Sequence, residues 1–184
     1  MNPSPNLFLI GPMGAGKSSI GRRLAEHFRM PCIDLDTFIE ERTGASVATI
    51  FEIEGEASFR RRESAALAEL SSREGILLAT GGGAVLVPGN RALLHAHGFV
   101  VWLQTGIEQQ LQRLERDRKR PLLMDAPERR ARLVELAAER NPIYRELAEL
   151  TVASSNESCQ HAATRIAELL ELHWQRTPTT LTTP

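Results

Sequence analysis

Cysteine and long apolar runs are scarce in this sequence of 184 residues. The two cysteines, Cys32 and Cys159, lie far apart and belong to no Cys/His cluster, which argues against a zinc site and against a secreted disulfide framework. The first apolar run, Leu7 to Ile10, is far too short for a signal core or a membrane span. We therefore expect a soluble, cytoplasmic protein without a membrane partner.

An excess of charge of either sign is also missing. The chain has 22 basic and 23 acidic side chains, for a formal net charge of -1. No global electrostatic field therefore indicates nucleic acid or an acidic membrane as a partner, and any anion must be bound by a few local groups. Because no long apolar stripe demands a protein partner, we expect a monomer.

Short apolar runs alternate with longer segments of helical period. Strands are predicted at Leu7–Ile10, Pro31–Leu35, Gly75–Thr80 and Phe99–Leu103, with Leu150–Ala153 as a candidate fifth. Helices are predicted at Lys17–Arg29, Glu54–Arg73, Pro88–His97, Ile107–Arg116, Pro127–Arg140 and Ser158–Gln175. This alternation is typical of an α/β protein with a parallel sheet covered by helices on both faces. We expect one domain over residues 1–175 and a disordered Thr- and Pro-rich tail over 176–184.

The most specific motif follows the first predicted strand. The segment from Gly11 to Ser18, Gly-Pro-Met-Gly-Ala-Gly-Lys-Ser, matches the phosphate-binding pattern G-x-x-x-x-G-K-[ST] between a strand and a helix. Gly14 and Gly16 allow the backbone to curl so that successive amides point inward at an anion. Lys17 can bridge the β- and γ-phosphates of ATP, and Ser18 offers a hydroxyl to Mg²⁺. A glycine-rich turn that matches the pattern by chance is the alternative.

Two carboxylates stand at the end of the second predicted strand. Side chains alternate along a strand, so Asp34 and Asp36 are predicted to point to one side and Leu35 to the other. One carboxylate could hold Mg²⁺ through water while the other orients a substrate hydroxyl. Alternatively, Asp36 or Thr37 only caps the helix that follows.

Three glycines, Gly81, Gly82 and Gly83, follow the third predicted strand. Many enzymes with a phosphate-binding loop have an acidic metal ligand at this place, and that acid is missing here. Glycines instead expose backbone N–H groups and allow a ligand to approach closely. A plain turn between strand and loop would also accept them.

Arginines in the later helices indicate a site for a carboxylate. Arg60 and Glu63 are three residues apart on a predicted helix, so Glu63 could hold the guanidinium in place. The neighbouring Arg61 and Arg62 fit a solvated helix face. Arg140 stands just before Pro142, where a helix is expected to end, and it could bind one carboxylate together with Arg60.

A highly charged segment runs from Arg113 to Arg120 and is followed by Pro121, which stops a helix. It is compatible with an ordinary solvated loop. In an enzyme of phosphoryl transfer, however, such a segment can close over ATP, exclude water and supply positive charge in the transition state.

Taken together, these motifs resemble the shikimate kinases, a family of the nucleoside-monophosphate-kinase-like P-loop enzymes, over roughly residues 6–170. The resemblance rests on the loop Gly11–Ser18, Asp34-x-Asp36, Phe59-Arg60, Gly81–Gly83 followed by Ala-Val, Arg120-Pro-Leu-Leu and Arg140-x-Pro-x-Tyr144. It implies a three-layer P-loop kinase fold with a five-stranded parallel sheet in the order 2-3-1-4-5. It also implies a substrate-binding region near residues 37–65 and a lid near residues 113–125.

The resemblance further implies a role for individual residues. ATP would be bound by Gly14, Ala15, Gly16, Lys17, Ser18, Ser19, Arg113 and Arg120. Mg²⁺ would be held by Ser18 and, through water, by Asp34. Shikimate would be bound by Asp36, Arg60, Gly81, Gly82, Gly83 and Arg140, and the catalytic residues would be Lys17, Asp36 and Arg120. Around Asn156, Glu157 departs from the basic residue that the family often has at its second adenine contact.

By this resemblance, the chain transfers the γ-phosphoryl group of ATP to the 3-hydroxyl of shikimate, in the path to chorismate and the aromatic amino acids. A gluconate-type or nucleotide kinase on the same scaffold is one alternative, and a screen of substrates separates it. A non-catalytic sensor of ATP or shikimate is another, and turnover of ATP that depends on shikimate would exclude it as the main role.

Overall fold

The computed structural model describes residues 3–114, 129–155 and 157–177. The strands are β1 (Leu7–Ile10), β2 (Cys32–Asp34), β3 (Leu77–Ala79), β4 (Phe99–Gln104) and β5 (Leu150–Ala153). The helices are α1 (Lys17–Phe28), α2 (Leu35–Thr43), α3 (Val47–Ser71), α4 (Pro88–His97), α5 (Ile107–Leu114), α6 (Arg129–Leu147) and α7 (Cys159–His173). A short 3₁₀ turn, Ala84–Leu86, precedes α4.

The five strands form one parallel sheet in the order β2-β3-β1-β4-β5, as the family resemblance implies. Strand β1 is central, and its Leu7 pairs with Leu77 of β3 on one side and with Phe99 of β4 on the other. Every residue of β1 and β3 is buried, which is usual for a parallel sheet covered on both faces.

Alternating residues of β1 divide the core into two layers. Phe8 and Ile10 pack against residues of α2, α3, α4 and α6 on one face of the sheet. Leu7 and Leu9 pack against α1 and α7 on the other face. The periodicity of two along a strand thus produces the three-layer arrangement of helices, sheet and helices.

The second strand is shorter than predicted. It ends at Asp34, and Leu35 already begins α2. Oδ1 of Asp34 accepts hydrogen bonds from the backbone N–H groups of Asp36 at 3.1 Å and Thr37 at 3.2 Å. Asp34 is therefore the cap of α2, and both the strand alternation expected for Asp34 and Asp36 and the cap expected at Asp36 or Thr37 are wrong. The carboxylate of Asp34 satisfies two backbone N–H groups that have no partner within the helix, and this stabilises the helix start.

Helices α3 and α6 differ most from their predicted bounds. Helix α3 begins at Val47 rather than Glu54, and it is kinked at Gly55, whose backbone (φ 78, ψ 170) suits only glycine. Helix α6 continues through Pro142 to Leu147, so the predicted end at Arg140 is wrong. Proline costs one helical hydrogen bond, but Leu147, beyond it, is buried in the core, and that packing holds the last turn in place.

The two ends of the described chain meet at the amino-terminal edge of the sheet. Nε1 of Trp174 donates to the carbonyl oxygen of Ser4 at 3.0 Å, and Nη1 of Arg176 donates to the carbonyl oxygen of Phe28 at 2.7 Å. Of the predicted tail, residues 178–184 lie outside the described residues, so its disorder stays a prediction. In the described part of the chain, no helix is both long and apolar enough to cross a membrane.

Candidate active site

Some of the predicted site residues converge at the carboxyl ends of β1, β2 and β3. A cavity of about 300 Å³ lies there. Its lining includes Gly14, Gly16, Lys17, Ser18, Ser19, Asp34, Asp36, Thr80 and Arg113. The phosphate-loop residues, both aspartates and Arg113 therefore face one space, at the edge of a parallel sheet where ligands usually bind.

The phosphate loop has the backbone that its glycines allow. Gly11, Gly14 and Gly16 have φ angles of 140°, 75° and 86°, which other residues rarely adopt. Gly16 precedes α1 without a side-chain cap, so the first backbone N–H groups of α1 are placed to bind an anion. Lys17 is buried, and its Nζ donates to the carbonyl oxygens of Gly11 and Pro12, each at 2.8 Å. The ammonium group is thus held at the loop before any phosphate binds.

Ser18 and Asp34 form the candidate magnesium site. The hydroxyl of Ser18 donates to Oδ2 of Asp34, while Oδ1 of Asp34 caps α2. Neighbouring hydroxyl and carboxylate oxygens suit Mg²⁺, which takes few protein ligands and completes its shell with phosphate oxygens and water. Residues 3–114, 129–155 and 157–177 contain no cluster of three His, Cys, Asp or Glu residues that could hold a metal.

Asp36 reaches the cavity from the first turn of α2 rather than from a strand. A side chain at Gly81 would place its Cβ 3.0 Å from Oδ1 of Asp36 and 2.7 Å from Oε1 of Glu63. The glycine therefore lets two carboxylates approach the turn after β3. Asp34 and Asp36 do line one cavity, as predicted, but a helix turn brings them together and not the pleat of a strand.

Arg60 and Arg140 do not line this cavity. Two carboxylates hold Arg60 beside the glycine turn at residues 81–83. Its Nη1 donates to Oε2 of Glu63 at 2.7 Å, as the spacing predicts, and its Nη2 donates to Oε1 of Glu56 at 3.0 Å. The side chain of Arg60 is only 15% exposed. A Cβ at Gly83 would overlap the guanidinium, so Arg60 lies directly against the glycine turn.

Glu63 is the least accessible charged group of the site. Its side chain is 0% exposed, and Oε1 accepts no hydrogen bond from the described residues. Burial raises the pKa of Glu63, and the neighbouring Asp36 raises it further, while Arg60 and Arg140 oppose the shift. Both arginines therefore favour the ionised form of the same buried carboxylate. The sequence predicted the contact between Glu63 and Arg60, but it did not predict that the other carboxylate oxygen of Glu63, Oε1, is buried without a hydrogen bond.

Arg140 and Tyr144 bring α6 to the glycine turn. Arg140 is buried in the middle of α6, and Tyr144, one turn later, donates from its hydroxyl to the carbonyl oxygen of Gly82 at 2.5 Å. Burial raises the pKa of Tyr144, so the phenol stays protonated and remains a donor. Tyr144 was part of the sequence motif but was not predicted as a site residue; the i, i+4 spacing from Arg140 is the signal that could have indicated it.

Arg113 joins the phosphate loop to the end of the sheet. Its Nη1 donates to the carbonyl oxygen of Gly14 at 3.0 Å, and its Nη2 donates to Oγ of Ser154 at 2.9 Å. It also lines a second cavity, of about 260 Å³, which shares Gly16, Ser19 and Arg113 with the first. One elongated ligand could therefore extend from the phosphate loop into both spaces.

Two predicted sites fall partly or wholly outside the described residues. Arg120 and residues 115–125 of the predicted lid lie outside them, as does Asn156, so their roles stay predictions. Glu157 is described, and it lines the second cavity together with Arg165 of α7. Arg165 was missed, because it lies eight positions from Glu157 and no local spacing indicates their contact.

Comparison with known proteins agrees with this geometry. The profile of the family "Shikimate kinase" matches residues 13–171. The shikimate kinase of Vibrio cholerae is 53% identical over 169 residues, which is 91% of this chain and 96% of that protein. The one from Stenotrophomonas maltophilia is 52% identical over 176 residues, 96% of this chain and 97% of that protein.

A solved structure extends the likeness to three dimensions. The shikimate kinase from Acinetobacter baumannii, in complex with shikimate, superposes with a TM-score of 0.89 at 44% identity, over 92% of this chain and 94% of that one. With the family profile spanning most of the chain, and with the sheet order and phosphate loop in place, this chain belongs to the shikimate kinase family.

Proposed function

We propose that this chain transfers the γ-phosphoryl group of ATP to the 3-hydroxyl of shikimate in the cavity above its phosphate loop. Membership of the family supplies the reaction class and ATP as co-substrate. The products are shikimate 3-phosphate and ADP, in the path to chorismate and the aromatic amino acids. The observation that carries the assignment of the site is that Asp36 shares one cavity with Lys17 and Ser18.

The carboxylate of shikimate is bound, in this proposal, by Arg60 and Arg140 beside the glycine turn at residues 81–83. Both guanidinium groups are largely withdrawn from water, where a charge-assisted hydrogen bond to a carboxylate is strongest. Glu63 and Glu56 hold Arg60 before the substrate arrives, which lowers the entropy lost on binding.

Asp36 orients the 3-hydroxyl and accepts its proton as the new bond to phosphorus forms. Its place in the first turn of α2 points it into the cavity that also contains Lys17. Phosphoryl transfer passes through a loose transition state, so positioning contributes more to the rate than the strength of the base.

The phosphates of ATP are bound by the loop at residues 11–18. Lys17 leaves its two carbonyl partners to contact the β- and γ-phosphates, and the open N–H groups of α1 stabilise the negative charge. Ser18 and Asp34 would hold Mg²⁺, which would neutralise charge on the phosphates when bound. Arg120, which lies outside the described residues, would supply further positive charge to the γ-phosphate, as the resemblance implies.

We also propose that the chain acts as a monomer in the cytoplasm. Among the described residues, the exposed large hydrophobic side chains are Ile53, Val134 and Leu172, which lie on three different helices. Single exposed apolar residues form no patch for a permanent partner. Cys32 and Cys159 are free thiols, in keeping with a reducing compartment.

Coupled release of ADP tests the function. The chain is incubated with MgATP alone, with shikimate, and with gluconate or nucleoside monophosphates as controls. We expect ADP only with shikimate. ADP formed with a control substrate instead would reject the arginine site for the shikimate carboxylate, and no ADP with any substrate would reject the kinase and favour a sensor.

A further inference from the structure

The second cavity has a mostly apolar wall with an ion pair built into it. Apolar contributions come from α1, β4, β5 and α7, and include Ile20, Leu103, Val152 and Ile166. Arg113 stands at the end that this cavity shares with the phosphate loop. Glu157 and Arg165 supply the other charges of the wall. A nucleotide whose phosphates lie on the loop would place its base and ribose here.

Arg165 holds Glu157 by more than one hydrogen bond. Its Nη2 and Nε donate to Oε1 of Glu157 at 2.5 Å and 3.2 Å. Nη2 also donates to the carbonyl oxygen of Ala153, the last residue of β5, at 3.2 Å. Arg165 lies almost two turns into α7 and reaches back to the helix start, where Ser158 caps the backbone N–H of His161 at 3.2 Å. One guanidinium thus connects the end of β5, Glu157 and α7.

The charge of Glu157 is unfavourable for a site that receives a polyphosphate. Hydrogen bonds from Arg165 and Ser155 lower the pKa of Glu157, so the carboxylate is ionised at neutral pH. Without a partner, it would place a negative charge on the cavity wall and repel the phosphates of the nucleotide. Arg165 opposes this charge at hydrogen-bond distance.

We propose that Arg165 is a positioning residue of the nucleotide site, which acts through Glu157 by holding its carboxylate and cancelling its charge. The proposal rests on the use of ATP by this chain, but on none of the roles given to Asp36, Arg60 or Arg140. Arg165 thus makes a wall that carries a carboxylate compatible with the phosphates of the nucleotide. Its effect therefore depends on whether Glu157 is charged.

A double-mutant cycle tests this dependence, with binding of ADP measured by calorimetry. Arg165→Gln should raise the Kd of ADP and the KM of ATP by about three- to tenfold, and leave kcat and the KM of shikimate within about twofold. In a Glu157→Gln background, the same change should have less than about a twofold effect, because the charge to be cancelled is gone. The penalty of Arg165→Gln alone should also shrink at high salt.

The matched control is Arg132→Gln. Arg132 forms an ion pair with Glu135 on α6, and its side chain is 40% exposed, against 39% for Arg165, but it lines neither of the two cavities. It should change neither Kd nor KM. A further variant, Arg165→Lys, keeps the positive charge, and its Kd of ADP should lie within about threefold of the wild-type value. This variant can be measured even if Arg165→Gln does not fold.

Two results would overturn the proposal. One is an unchanged Kd of ADP in Arg165→Gln. The other is an equally large loss of affinity for ADP when Arg165→Gln is made in the Glu157→Gln background, because Arg165 would then act on the fold and not through the charge of Glu157. Binding of ADP needs no shikimate. A wild-type chain that binds ADP but does not phosphorylate shikimate would reject the proposed function while leaving this inference open to the same cycle.

Discussion

The hydroxyl of Tyr144 donates a hydrogen bond to the carbonyl oxygen of Gly82, and the two atoms are 2.5 Å apart. This bond attaches α6, which carries Arg140, to the glycine turn against which Arg60 lies. Two arginines from distant parts of the sequence thereby share one wall. The position of Arg140 relative to the turn therefore depends on how α6 packs against it.

Tyr144→Phe should test that connection. It removes the hydroxyl and leaves the carbonyl oxygen of Gly82 without this donor, which should lower the free energy of unfolding by about 1 kcal/mol. Because the turn then moves relative to Arg140, the KM of shikimate should rise about three- to tenfold while the KM of ATP stays unchanged. Urea denaturation and steady-state kinetics measure both. An equal rise in both KM values would show that the bond has no specific part in binding shikimate.

Gly83→Ala should weaken the binding of shikimate through Arg60. The φ of Gly83 is −97°, which alanine adopts without strain, so the effect comes from the overlap of its Cβ with the guanidinium. We expect a rise of about tenfold or more in the KM of shikimate with little change for ATP. Gly89→Ala is the control, since a Cβ at Gly89 would meet nothing within 4 Å. Equal kinetics for the two variants would contradict the contact between Arg60 and the turn.

Asp36→Asn should separate catalysis from binding of the nucleotide. An amide cannot accept the proton of the 3-hydroxyl, so kcat should fall on the order of 100-fold or more. The Kd of ADP should stay within about twofold, because the phosphates contact the loop and α1 instead. Turnover close to the wild-type value would remove the role proposed for Asp36.

Glu63→Gln should show how much the buried carboxylate lowers the free energy of unfolding. In the folded chain the pKa of Glu63 is raised above its ordinary value of 4.5, chiefly by burial. Because the pKa is raised, the folded state favours the protonated form of Glu63, and ionisation lowers the free energy of unfolding. The contribution of Glu63 to stability is therefore largest below pH 4.5 and is lost as the pH rises through the folded pKa. As the pH rises, the free energy of unfolding of Glu63→Gln should therefore increase relative to that of the wild type. A constant difference between pH 4 and 7 would show that the pKa of Glu63 is not raised.

Local motifs predicted much of this site, because they are short and have strict geometry. Gly11 to Ser18 has the required turn, and Arg60 meets Glu63 at the spacing of three residues. The boundaries that failed depend on tertiary packing. Pro142 indicates a helix end by itself, but the buried Leu147 keeps α6 helical beyond it.

Contacts between distant residues were beyond sequence reasoning. The hydrogen bond between Tyr144 and Gly82 joins residues 62 positions apart, and nothing local in either segment predicts it. The pair of Glu157 and Arg165 depends on the turn from β5 into α7.

In the case of Asp34 and Asp36, the shared cavity was predicted correctly for a wrong reason, since a cap and a helix turn replaced the expected pleat.

Phosphorus NMR of the chain with MgATP and shikimate identifies the oxygen that receives the phosphoryl group. We expect one new phosphomonoester signal, coupled to the proton on the carbon that bears the 3-hydroxyl, which grows in step with ADP. Appearance of inorganic phosphate with ADP, or of a phosphate on another hydroxyl, would contradict the proposed geometry of transfer.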